Sequence, residues 1–138
     1  MNIIVDTGPL VSFLLQEELR HRWVAERFQE ISAPMYTCEP VLTEVFFFLR
    51  KTHHGIARYF DLLESGLISV EFNLMEERVA LKAMIAKYED VPMSLADACL
   101  VRMAERMSEA TILTLDSDFH VYRKHGKHSI PLILPTGR

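Results

Sequence analysis

Two short apolar runs that stop on an acid constrain this chain more than any other feature. The first is Ile3-Ile4-Val5-Asp6-Thr7, close to the N-terminus. The second is Ala110-Thr111-Ile112-Leu113-Thr114-Leu115-Asp116, near the other end. Both are rich in β-branched residues and too continuous for a strand with one wet face. They suit strands covered on both sides, as in the middle of a parallel sheet. Such sheets bind ligands in the crevice beyond the carboxyl ends of their strands. Asp6 and Asp116 therefore stand where a site forms, and they share one edge if the two strands are neighbours. The plainer role for Asp6 is a helix cap. Thr7-Gly8-Pro9 turns the chain there, with Pro9 suited to a first helical turn.

Between these runs, helical and strand patterns alternate. Pro9 to Leu15 reads as a short helix, with Leu10, Phe13 and Leu14 on one face. Arg20 to Ile31 reads as a second, with Trp23, Phe28 and Ile31 inward and Arg22, Glu26 and Arg27 outward. Ala33-Pro34 breaks it. Met35 to Cys38 is a strand candidate. Pro40 opens a helix from Val41 to Lys51, and Gly55 separates this from Ile56 to Ser65, which Gly66 ends. Leu67 to Phe72 alternates as a strand. Leu74 to Tyr88 reads as a long helix with Val79, Ala80, Ala83, Met84 and Lys87 at helical spacings. Ser94-Leu95-Ala96-Asp97 opens a helix to about Met107. Asp118-Phe119 starts a short helix through about Lys124, Gly126 to His128 is a turn, Ile130 to Leu134 a last strand, and Pro135 to Arg138 a tail. The alternation predicts an α/β domain around a mostly parallel sheet. At 138 residues the chain is expected to be one domain, 1–138.

A net charge of -4 argues against a simple basic nucleic-acid binder. It leaves room for an enzyme whose acids are clustered. Cys38 and Cys99 sit among apolar residues and read as reduced core residues. The N-terminus has no basic region ahead of its apolar run, so no signal peptide is expected, and no run approaches membrane-spanning length. The cytoplasm is the expected location.

Four or five acids can meet at one edge of such a sheet. Asp6 and Asp116 end strands. Glu44 and Asp97 lie near the starts of helices, which begin at the same edge in this class of fold, and Asp118 follows two residues after Asp116. Two carboxylates about 4 Å apart repel by about 4 kcal/mol at an effective dielectric near 20. Such a group holds protons or binds a cation. An all-oxygen set selects hard ions such as Mg²⁺ or Mn²⁺, and two such ions can serve phosphodiester displacement. Each acid also has a structural role open to it. Ser94-x-x-Asp97 matches a capping box, Glu44 places charge near a helix N-terminus, and Asp118 can cap a helix at Phe119.

Taken in order, Ile4-Val5-Asp6-Thr7, Glu44 in an apolar helix, Ser94-Leu95-Ala96-Asp97-Ala98 and Leu113-Thr114-Leu115-Asp116-Ser117-Asp118-Phe119 resemble the PIN-domain ribonucleases over essentially the whole chain. The resemblance implies a three-layer α/β/α fold holding Mg²⁺ or Mn²⁺, one or two ions, through Asp6, Glu44, Asp97 and Asp116. It implies cleavage of single-stranded RNA to 5′-phosphate and 3′-hydroxyl ends. Asp118 would lie near a second metal or orient a water, and Thr7, Ser94 and Thr114 would support the ligands. Many small members are VapC-like toxins, which usually form homodimers and are held inactive by a small antitoxin. Gly8-Pro9 departs from many of these, which have a small or polar residue and no proline there.

The histidines form no zinc pattern. Arg50, Lys51, His53, His54 and Arg58 make one basic cluster. Arg123, Lys124, His125, Lys127 and His128 make another, of which Arg123, Lys124 and Lys127 could hold RNA phosphates; a solvated basic face is the alternative for either. Phe46-Phe47-Phe48 reads mainly as core, with one ring free to reach a dimer contact. The leading functional expectation is a metal-dependent endoribonuclease; the alternative is a catalytically silent PIN-like module that binds RNA or protein. A haloacid-dehalogenase-like phosphatase is disfavoured because position 8 is Gly where that family places a second Asp. A receiver domain is disfavoured for want of paired early acids and a late lysine.

Overall fold

A computed structural model describes residues 1–136; of the expected tail, Gly137 and Arg138 lie outside the described residues. The first apolar run forms β1 (Asn2–Val5) and the second forms β4 (Ala110–Leu113). They pair in parallel, with Val5 opposite Leu113. On the other side of β1 lies β2 (Met35–Thr37), then β3 (Ile68–Val70); beyond β4 lies β7 (Leu132–Ile133). The order β3-β2-β1-β4-β7 is parallel at every pairing. Ile4, Val5, Ile112 and Leu113 are fully buried, as a strand covered on both faces requires.

The helices are α1 (Thr7–Leu14), α2 (His21–Glu30), α3 (Glu39–Leu49), α4 (Gly55–Glu64), α5 (Arg78–Lys87) and α6 (Leu95–Arg106). They flank the sheet in a three-layer α/β/α arrangement. The order of strands reverses between β1 and β4: the chain steps outward from β1 to β2 and β3, then returns to the opposite side. That reversal opens a crevice beyond the carboxyl ends of these two strands.

Several expectations change in detail. In α2 the core takes Val24 and Phe28, while Trp23 is only half-buried. The apolar surface of α3 divides by geometry: Val41, Val45 and Leu49, four residues apart, are fully buried, and Phe46 packs edge-on against Tyr59. Phe47 and Phe48 are 58% and 56% exposed, because three consecutive residues at 100° per step cannot share one face. The long helix from Leu74 is shorter. Its start is a turn in which Asn73 accepts from the Glu76 N–H, and α5 begins at Arg78. Its buried residue is Leu81, whereas Val79 is 76% exposed.

The helix expected from Asp118 to Lys124 is a single 3₁₀ turn, Ser117–His120, followed by a small antiparallel hairpin, β5 (Arg123–Lys124) with β6 (His128–Ser129). The hairpin turn has φ of +52° at His125 and +73° at Gly126. Consecutive left-handed residues end a helix and suit a tight hairpin. Among the described residues, no helix is long and apolar enough to cross a membrane.

Candidate active site

Asp6 is the residue at which β1 hands over to α1. Its backbone N–H still belongs to the sheet, donating to Leu113 O at 3.0 Å. Its carboxylate caps α1, with Oδ1 accepting from the Thr7 N–H at 2.7 Å. The other oxygen, Oδ2, accepts from the Thr114 hydroxyl at 2.7 Å. The capping role and the site role of Asp6 therefore coexist, one oxygen for each. Asp6 is buried, and burial lifts its pKa from 3.8 to about 6; Thr114 and Thr7 oppose the rise, and the charges of Asp97 and Asp116 add to it.

The Thr114 hydroxyl also accepts from the Asp116 N–H at 2.9 Å, so one side chain ties the ends of β1 and β4 together. Asp116 caps the 3₁₀ turn, accepting from the Asp118 N–H at 2.9 Å, and otherwise faces solvent. Thr7 donates from its hydroxyl to Glu44 Oε1 at 2.6 Å, linking α1 to α3. Thr37, buried at the end of β2, donates to Val5 O at 2.8 Å and braces the strand just before Asp6.

Asp97 sits in the first turn of α6. The first half of the capping box is present, as the Asp97 N–H donates to Ser94 Oγ at 2.9 Å. Its carboxylate oxygen Oδ2 accepts from the Tyr122 hydroxyl at 2.9 Å. Desolvation pushes Asp97 above its ordinary carboxylate range, against the hydrogen bonds of Tyr122 and Ser94, and the Asp116 charge adds to the rise.

One cleft of about 970 Å³ collects these groups: Asp6, Glu44, Asp97, Asp116 and Asp118 all line it, as do Thr7 and Ser94. Thr114 lies beneath it, fully buried. Among the described residues, no Lys, Arg or His lines it. The negative potential therefore has no counter-charge in that described lining, and Asp6, Glu44, Asp97 and Asp116 are held by neutral donors. Among the described residues, no three His, Cys, Asp or Glu side chains stand close enough to form a ready ligand cage. Mg²⁺ does not need one, since it keeps several waters and commonly takes only one or two protein carboxylates. The donor set is all-oxygen and anionic, which fits a hard divalent ion.

A PIN-domain family model matches residues 3–125. The chain belongs to the PIN-domain family. No curated protein sequence matches it significantly. Among solved structures, this PIN domain is similar to VapC20 of Mycobacterium tuberculosis, a toxin described as cleaving the sarcin–ricin loop. The TM-score is 0.77 at 18% identity, over 87% of this chain and 94% of that chain. At that identity the likeness is one of fold.

Sequence reasoning missed three features of this PIN domain's site. Tyr122 lay in a stretch read as helix, and nothing in the residues marked it as a partner of Asp97. Glu18, in the loop after α1, also lines the cleft, as does Phe48. The signal for Phe48 was present, because it follows Glu44 by one helical turn and so shares its face. Arg123, Lys124 and Lys127 belong to the hairpin rather than to the cleft wall. The Arg123 guanidinium is turned onto the carbonyls of His120, Val121 and Tyr122. The hairpin packs toward the far end of α6, where Glu105 accepts from the His125 N–H at 2.7 Å.

Proposed function

We propose that this PIN domain, as one domain over 1–138, is a Mg²⁺- or Mn²⁺-dependent endoribonuclease acting on single-stranded RNA. The observation that carries the reading is the convergence of Asp6, Glu44, Asp97, Asp116 and Asp118, with Glu18, from both halves of the chain on one cleft that has no cation among its described lining residues. Asp6, Glu44, Asp97 and Asp116 are the residues that would hold the ion, with Asp118 at the rim.

The chemistry supplied by a divalent ion held there would be neutralisation of phosphate charge and a lowered pKa for an attacking water. The chain's own part is positional. Thr114 and Thr7 fix the two oxygens of Asp6, Thr7 also fixes Glu44, and Tyr122 and Ser94 orient Asp97. Carboxylates held by hydroxyls and backbone N–H groups stay anionic toward the cleft and need little reorganisation when a cation arrives. Displacement at phosphorus would leave a 5′-phosphate and a 3′-hydroxyl. Lys124 and Lys127, on the hairpin outside the cleft wall, are a second surface for phosphates of a strand that has left the cleft, with Arg123 committed to the carbonyls of its own turn.

The fold shared with VapC20 supports a toxin role, with a small antitoxin as inhibitor, a homodimeric assembly and a cytoplasmic RNA target. The test is cleavage of a labelled single-stranded RNA with Mg²⁺, with EDTA and with Asp6→Asn as controls. Cleavage that requires both the ion and Asp6 is expected. An intact protein that binds RNA or a protein partner without cutting would make it a silent binding module instead.

A further inference from the structure

The wall of the acidic cleft is not acidic throughout. Glu44 and Phe48 lie one turn apart on α3, and both line the cleft. Phe48 is 56% exposed there, and Phe47 beside it is 58% exposed. Their rings meet edge to face at 5.7 Å between centroids. The Arg50 guanidinium lies over the Phe47 ring at 3.9 Å. The stretch from Val45 to Phe60 contains no Asp or Glu, although the chain carries a net charge of -4. It does contain Arg50, Lys51, His53, His54 and Arg58.

The turn bearing these groups is packed tightly back on α3. Gly55 is buried against Leu49 O and the Thr52 hydroxyl, where a Cβ has no room. The Thr52 hydroxyl donates to Leu49 O at 2.8 Å, and Thr52 also lines the cleft. Arg50, Lys51, His53 and His54 are exposed beside it. The cationic groups are thus held next to the two open rings.

The geometry points to a single-stranded RNA platform on this flank, in which Phe48 stacks a base next to the scissile phosphate and Arg50 and Lys51 hold the phosphates that follow. The inference rests on the nuclease reading of the cleft and adds where the strand lies. Single-strand binders combine aromatic faces that stack bases with cations that track the backbone. Both occur here, in that order, leading away from Glu44. The cations also answer an electrostatic need. A polyanion approaching the cleft's six carboxylates is repelled unless positive charge lies along its path, and the described lining of the cleft supplies none.

The test measures binding of a fluorescent single-stranded oligoribonucleotide by anisotropy in Mg²⁺, in an Asp6→Asn background, beside cleavage by proteins with Asp6 intact. Phe48→Ala should weaken binding about ten- to hundred-fold. Phe48→Trp should retain it, which a merely structural role for the ring would not predict. Arg50→Ala with Lys51→Ala should flatten the dependence of binding on salt. These residues are exposed, so circular dichroism should show each variant folded.

Unchanged binding by Phe48→Ala overturns the platform. So does a halved mass by light scattering in Phe48→Ala or Phe47→Ala with RNA affinity lost only on dissociation, because the face would then be a seam between copies. A protein that binds RNA through Phe48 without cutting it keeps the platform and loses the nuclease reading. One that cuts RNA whatever stands at position 48 does the reverse, and one that neither binds nor cuts overturns both.

Discussion

Replacing Asp6 with Asn should stabilise the metal-free protein at alkaline pH and destabilise it at acidic pH. Burial holds Asp6 at a pKa of about 6, against 3.8 for the free side chain. That rise corresponds to about 3 kcal/mol of cost to the native state when the carboxylate is ionised. The sign follows from proton linkage. The folded state binds this proton more tightly than the unfolded one, so the associated stability is complete below about pH 4 and is lost as pH rises through about 6. Asn carries no charge at any pH and escapes this loss. It also has only one oxygen, where Asp6 accepts from both Thr7 and Thr114. Losing one acceptor costs about 1 kcal/mol.

The balance is a gain of about 2 kcal/mol at pH 8, or about 8 °C in Tm for a domain of this size, and a loss of about 1 kcal/mol at pH 4. The assay is thermal melting in EDTA across that range, followed by circular dichroism. Adding Mg²⁺ at pH 8 should raise the Tm of the parent and leave Asp6→Asn nearly unmoved. A difference between the two proteins that is constant from pH 4 to pH 8 would refute the account of Asp6. So would a variant that melts below its parent at pH 8.

Other perturbations probe the surroundings. Tyr122→Phe removes the donor to Asp97 Oδ2, which should cost about 1 kcal/mol in urea unfolding and raise the Asp97 pKa further. The acidic limb of the cleavage profile should then move to higher pH, and an unmoved limb would show that Tyr122 does not act on Asp97. Gly8→Ala brings a Cβ to 3.3 Å from the Leu115 side chain, so a loss of about 1 kcal/mol is expected, and an unchanged urea midpoint would show that Leu115 yields freely. Val79→Glu should change stability by less than about 0.5 kcal/mol, whereas Leu81→Ala should cost about 2–5 kcal/mol. The reverse ranking would place the buried face of α5 where the residue spacing first suggested.

The parts of the fold legible in the sequence are those fixed by local chemistry. The apolar runs of β1 and β4 leave no wet face, so a covered parallel sheet follows from them, and the acids that end them fall at its carboxyl edge. Gly55, Gly66 and Pro40 mark helix limits to within a residue or two. What failed to show depended on contacts between distant segments. The buried face of α5 is chosen by α6, which its own pattern of Ala and Val cannot reveal. Tyr122 turns toward Asp97 because the chain leaves its 3₁₀ turn into a hairpin through the left-handed pair His125 and Gly126, and nothing in the residues before that pair marks the helix as ending so early. Phe47 and Phe48 looked like core because composition was counted without dividing the helix into faces.

The pairing of β1 with β4 joins the beginning of the chain to a segment about 108 positions later, with Asn2 opposite Ala110. During synthesis, the first strand therefore waits without this neighbour until residue 110 and those just after it have been made. Asp116 and Tyr122 come later still, so a product that stops short of them lacks one acid of the cleft and the donor to Asp97. The acidic cleft of this PIN domain is therefore assembled late, only after the strands on both sides of the reversal in strand order exist.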